Sequence, residues 1–148
     1  MQNARRAYGW HTDADRDRTG RHLSKSDPSG EGRMNAVAKR TGQCLCGAVT
    51  FKADVASGIQ ACHCGQCQRW TGGGPLVSVR ATDLEIAGAD RVAAYHASKW
   101  GERAFCGTCG STLYWRMQGR PVAYVAVGLL DDQSGLTVTD EIFVDHRP

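Results

Sequence analysis

Seven cysteines in 148 residues fall into three tight groups: Cys44-x-Cys46, Cys62-x-Cys64-x-x-Cys67 within the stretch ACHCGQC, and Cys106-x-x-Cys109. No other feature narrows the possible folds so much, because thiols crowded in this way need a common purpose. Residues 1–33 are polar and charged and contain no apolar run of the kind a secretory signal needs. Without export, closely spaced cysteines serve metal binding or redox chemistry more often than disulfides, and a reducing cytoplasm is the expected compartment. A thioredoxin-type C-x-x-C would need a βαβ setting, which the surrounding residues do not offer.

Spacing limits how the thiols can share ions. In extended chain, residues two apart project to one face, so Cys44 and Cys46 can reach one ion, as can Cys62 and Cys64. His63 then points the opposite way, toward solvent or a supporting role rather than ligation. A C-x-x-C turn brings two sulfurs into one tetrahedron at Zn–S distances of about 2.3 Å, and Gly110 after Cys109 suits the tight reversal. The simplest division is a closed set of four and an open set of three. Pairing Cys44 and Cys46 with Cys106 and Cys109 staples the start of the domain to its later half. It leaves Cys62, Cys64 and Cys67 around an ion with one position free for water or a soft exogenous thiol. A single structural zinc with three spare buried thiols satisfies the same spacing, so spacing alone leaves both arrangements open.

The rest of the chain reads as one β-rich domain. Segments of β-branched or alternating character recur between glycine-rich turns: AVTFKADV, PLVSVRA, RVAAYHA, STLYWR, VAYVAVG and a final EIFVDHRP. Only GQCQRWTG and the region of LLDDQSG suit a short helical turn, and no long stretch has the 3.6-residue period. Residues 1–33 lack periodicity and apolar content and are expected to be disordered, with the ordered domain at 34–148 and Met34 a candidate start of the protein. No stretch approaches the roughly 20 apolar residues of a membrane span.

Charge argues against a nucleic-acid partner. The 18 basic and 15 acidic residues give +3, of which residues 1–33 hold seven bases and five acids. The domain itself is therefore near neutral, and seven zinc-bound thiolates would make it acidic. His96 and His146 stand apart from the cysteines as ordinary surface residues. Trp70 and Trp100 read as core or rim packing. Nothing in the sequence fixes an oligomeric state.

Three motifs in this order carry a resemblance: Cys44-x-Cys46-Gly47; Cys62-His63-Cys64-x-x-Cys67 with Arg69, Thr71 and Gly72; and Phe105-Cys106-x-x-Cys109-Gly110-Ser111. Together with SKWGERAFC and VGLLDDQSGL they resemble the glutathione-dependent formaldehyde-activating enzyme family, which includes centromere protein V, over about residues 41–148. Two positions depart from the family pattern: Gln68 stands where arginine is common, and the chain stops at Pro148 where relatives continue.

The resemblance implies a small zinc-stapled complex of antiparallel sheets, the fold also found in methionine sulfoxide reductase B and a Rab exchange factor. It implies two Zn²⁺ per chain, a structural one at Cys44, Cys46, Cys106 and Cys109 and a functional one at Cys62, Cys64 and Cys67. The implied activity joins glutathione to formaldehyde as S-hydroxymethylglutathione and cleaves it in reverse. Three thiolates leave such a zinc with charge −1 and a fourth makes it −2, so nearby cations are expected. Arg69, Lys99 and Arg103 are candidates for that role and for substrate carboxylates. Thr71, leading into Gly72, Gly73 and Gly74, is a candidate to present donors to a ligand or simply to open a turn. The alternative reading is a zinc-stapled module that binds small thiols or a protein without turnover. Methionine sulfoxide reduction would need a reactive cysteine free of metal, and none is left over.

Overall fold

Valine, isoleucine and threonine in short runs favour extended chain, and the computed structural model of the protein, which describes residues 36–147, is built chiefly of strands. The expectations for residues 1–33 and for a start at Met34 lie outside the described residues. The strands are β1 Val37–Gln43, β2 Thr50–Cys62, β3 Leu76–Ala87, β4 Val92–His96, β5 Gly101–Cys106, β6 Thr112–Met117, β7 Ala123–Ala126 and β8 Thr137–Ile142. One α-helix, α1 Gly65–Thr71, follows β2 directly. The mainly β, antiparallel architecture expected from the sequence is thus the one observed.

The strands form one sheet in the order β1-β2-β3-β7-β6-β5-β4, and every neighbouring pair is antiparallel except β8, which runs parallel to the second half of β2. β2 is long enough to serve twice. Its first half pairs with β1, and from Gly58 to Cys62 it pairs instead with β8. Two irregularities keep the correct residues inward. Between Val55 and Ile59 β2 carries two extra residues relative to β3, which preserves parity, so Val55 and Ile59 face the same core. In β3, Asp83 adopts a left-handed φ of 49° where the register shifts, and the inward side changes from Val79 and Ala81 to Leu84 and Ile86.

The main core gathers on one face of the sheet, with Val49, Val55, Val79 and Val125 almost wholly buried. Burying each such side chain stabilises the fold by about 1.5–3 kcal/mol. Cys44 and Cys106 belong to this core. The sheet curls until Gly42 on β1 bridges Leu130, beyond β7. A Cβ at Gly42 would overlap the Leu129 carbonyl and the Phe51 ring, so glycine is what lets β1 approach the turn after β7. A smaller cluster lies on the reverse face, where α1 covers the end of β2 and the start of β3: Cys62, Cys67 and Leu76 pack with Cys64, Trp70, Trp115 and Ile142.

The C-terminal strand differs from the expectation. EIFVDHRP is strand only to Ile142; Phe143 turns the chain with φ 56°, and Val144–His146 form a 3₁₀ turn. No helix among the described residues is long and apolar enough to cross a membrane.

Candidate metal centres

Two loops of like design bring the four-cysteine set together. After β1, Cys44 donates its N–H to the Val49 carbonyl at 2.9 Å while Gly47, at φ 75°, donates to the Cys44 carbonyl at 3.0 Å. After β5 begins its turn, Cys106 bonds Ser111 at 2.9 Å and Gly110, at φ 77°, donates to Cys106 at 2.8 Å. A left-handed residue closes each turn, and only glycine adopts it without strain. The Leu45 N–H then reaches the Ser111 hydroxyl across the two loops at 3.0 Å.

These turns aim four sulfurs at one point. Cys44, Cys46, Cys106 and Cys109 have all their Sγ atoms within 4.8 Å of one another, with Cys44–Cys46 at 3.6 Å and Cys46–Cys106 at 3.9 Å. Four sulfurs about 2.3 Å from a shared zinc would stand about 3.8 Å apart, so the donor set fits a tetrahedral ion. The Ser111 hydroxyl, 3.2 Å from Cys109 Sγ, with the backbone N–H of Ser111, holds the Cys109 thiol down at about 5.

The middle group is assembled differently. Cys62 ends β2, Cys64 is the extended N-cap of α1, and Cys67 is the buried residue of that helix. Their three sulfurs also lie within 4.8 Å of one another. Hydrogen bonds from Cys62 and then Cys67 favour the Cys64 thiolate and pull it to about 2, while Cys62, giving up those protons less readily, is pushed far above the ordinary thiol range. Three convergent soft donors fit a metal that keeps a fourth position for another ligand.

The other candidate residues separate into groups. Arg103 comes to the three sulfurs: it is 7% exposed, with Nη2 at 3.8 Å from Cys67 Sγ and the guanidinium 5.5 Å from the centre of the Trp70 ring. Arg69 is exposed on the last turn of α1, and Lys99 is exposed in the turn before β5. The Thr71 hydroxyl lies 3.0 Å from the Cys67 carbonyl and 2.6 Å from that of Gly74, where Gly72, at φ 83°, ends the helix. His96 sits at the surface, 3.9 Å from Glu102, and Trp100 packs edge-on to Trp115 at 6.1 Å.

His63 is not solvent-facing. It is buried, its Nε2 lies 3.2 Å from Glu141 on β8, and its N–H donates to the Ile142 carbonyl at 3.0 Å. Gln68 adds to this fastening, its amide nitrogen donating to the carbonyls of His63 and His146. Glu141 is held in turn by Arg147. The local alternation of ACHCGQC carries no sign of Glu141, Ile142 and His146, which reach it from β8 and the turn that follows.

Comparison with known proteins supplies three findings. A family model described as glutathione-dependent formaldehyde-activating enzyme matches residues 39–146. A protein of Schizosaccharomyces pombe described as an uncharacterized lyase is 28% identical over 110 residues, spanning 72% of this chain and 80% of its own. A crystal structure of a Rhodobacter sphaeroides protein superimposes with a TM-score of 0.55 at 24% identity, covering 68% of this chain and 98% of that one, a likeness of fold.

Proposed function

The chain belongs to the glutathione-dependent formaldehyde-activating enzyme family, and from that premise we propose that it joins glutathione, or a similar small thiol, to formaldehyde and runs the reverse carbon–sulfur cleavage. Family membership and the lyase description of the yeast relative support a formaldehyde-activating, lyase-type function in a protein whose cysteine groups are able to hold metal. The observation that carries the finer reading is the unequal division of thiols. Four converge beside the main core, and three converge at the start of α1, a set that would leave one position of a tetrahedral ion for a ligand from solution.

We assign zinc to both sets, two ions per chain. Zinc at Cys62, Cys64 and Cys67 would supply a Lewis-acid centre that favours the thiolate form of a substrate sulfur. The protein's own part is placement and exclusion of water. Leu76, Trp70, Trp115 and Ile142 wall the sulfurs on their buried side. Arg69 and Lys99, both exposed, are our candidates for substrate carboxylates, while Thr71 shapes the turn after α1. In the forward direction the substrate sulfur forms a bond to the aldehyde carbon, the carbon–oxygen double bond becomes single, and the thiol proton ends on the new hydroxyl. No oxidant or reductant is needed. The seven free thiols suit a reducing cytoplasm, which we propose as the compartment.

The test is the rate of S-hydroxymethylglutathione formation from glutathione and formaldehyde, followed by NMR exchange against buffer alone. Protein should raise the rate, and Cys64→Ser should return it to the buffer value. A rate that stays at the buffer value with wild-type protein would remove the enzyme reading and leave a zinc-stapled thiol-binding or protein-interaction module.

A further inference from the structure

Arg103 is a buried cation. It is 7% exposed, yet no ion pair joins it to an acidic side chain among the described residues. Its sequence neighbour Glu102 projects from the other side of β5 and is engaged by Arg116 at 2.9 and 3.0 Å. What Arg103 has instead is the Cys67 sulfur at 3.8 Å and the face of Trp70, while its Nε is buried with no hydrogen-bond partner among the described residues. A charge taken out of water needs an opposite charge nearby, and among the described residues the group placed to supply it is the sulfur cluster.

The cluster's requirement is reciprocal. Three thiolates around a divalent ion carry a net −1, and a thiolate as fourth ligand makes the centre −2 against the apolar wall of Leu76, Trp70, Trp115 and Ile142. A neutral fourth ligand adds no such charge. A cation fixed against Cys67 therefore favours an anionic fourth ligand over a neutral one. Arginine suits this place better than lysine, because its planar, weakly hydrated guanidinium can stack on Trp70 while directing N–H groups at sulfur.

We infer that Arg103 is the positioning residue that makes the three-cysteine centre select an anionic sulfur ligand, by compensating the charge that ligand brings. The inference rests on the reading of Cys62, Cys64 and Cys67 as the thiol-accepting centre. It differs from a role in binding substrate carboxylates, since the guanidinium is turned inward to Cys67 and not toward solvent.

Cobalt(II)-loaded full-length protein provides the test, because each thiolate bound to cobalt adds charge-transfer absorbance in the near ultraviolet. Two probes are titrated, 2-mercaptoethanol as the thiol and imidazole as a neutral ligand. Arg103→Met should raise the dissociation constant for the thiol about tenfold or more, equivalent to about 1.4 kcal/mol, with imidazole binding changed less than about threefold. Arg103→Lys, which keeps the charge, should recover most of the thiol affinity. Equal loss of both probes in Arg103→Met, or no recovery with lysine, would show a merely structural part and overturn the inference, as would an unchanged thiol constant. If Arg103→Met fails to fold, Arg103→Gln takes its place in the same comparison. Wild-type protein that binds cobalt at the three-cysteine set but shows no added absorbance with thiol would instead defeat the underlying reading, and the inference with it.

Discussion

Arg103 and Cys106 stand three residues apart on β5 and face opposite sides of it, so one strand carries both a sulfur of the four-cysteine set and the cation beside the three-cysteine set. Anchoring Cys106 therefore fixes the position of Arg103 as well. Cys106→Ser should cost the fold more than about 4 kcal/mol, the range reached when a structural metal is lost. That corresponds to a fall in Tm of roughly 15 °C or more. Cys64→Ser should lower the metal content by one ion per chain and leave Tm within a few degrees. Metal analysis and thermal melts on the two variants check this, and similar melts for both would refute the division of labour between the sets.

Chelation should follow the same order. Cys44 and Cys106 are buried in the main core at 1% and 0% exposure, whereas the middle set lies at the sheet's reverse face and, on the proposed function, would keep a position for an outside ligand. Excess chelator should remove one zinc per chain while the far-ultraviolet circular dichroism stays constant, and the second only as the sheet unfolds, because metal binding and folding are linked at a closed site. Release of both ions in a single phase with no change in the spectrum would contradict the assignment of the four-cysteine set as structural.

The cysteine groups and most of the strands were legible in the sequence, because short-range spacing and alternation dictate both. β1 was not: VAKRTGQ is an edge strand with little buried, so no apolar pattern marks it. β5 was hidden for the opposite reason. GERAFC is buried along nearly its whole length, on both faces, so its charged residues interrupt any alternation. The period-two argument turned His63 away from the sulfurs but left solvent and a supporting role open, because β8, about 80 residues away in sequence, lies parallel to the end of β2 and closes over that histidine. The same closure of the chain's end engages Gln68, whose amide holds two backbone carbonyls, one from the metal loop and one from the turn after β8.

Glycines should separate by cause. At Gly42 an added methyl group meets the Leu129 backbone and the Phe51 ring, which cannot both withdraw, so Gly42→Ala should destabilise by about 2–4 kcal/mol. At Gly72 the φ is 83° but nothing lies within 4 Å of the would-be Cβ. Gly72→Ala should therefore cost only the left-handed strain, about 1–2 kcal/mol. Urea denaturation of both variants is the check, and a Gly72→Ala loss as large as that of Gly42→Ala would mean that crowding is not what sets the ranking.

Gln68 offers the sharpest test of how the chain's end is held. Its amide supplies two N–H donors, and the two carbonyls it meets, His63 and His146, belong to the metal loop and to the 3₁₀ turn after β8. Gln68→Ala removes both bonds at once and leaves the His63–Ile142 and His63–Glu141 contacts in place. Because each bond contributes about 0.5–1.5 kcal/mol net, global stability should fall only modestly. The local effect should be larger, since this turn is tied to the metal loop through few other contacts. Amide hydrogen exchange should accelerate about tenfold or more at His146 and Arg147, whose N–H groups bond Phe143 and Val144, while the amides of β3 and β7 keep their protection. Unchanged exchange at those two residues would mean that Glu141 with Arg147 alone fastens the chain's end, and that Gln68 serves the metal loop only.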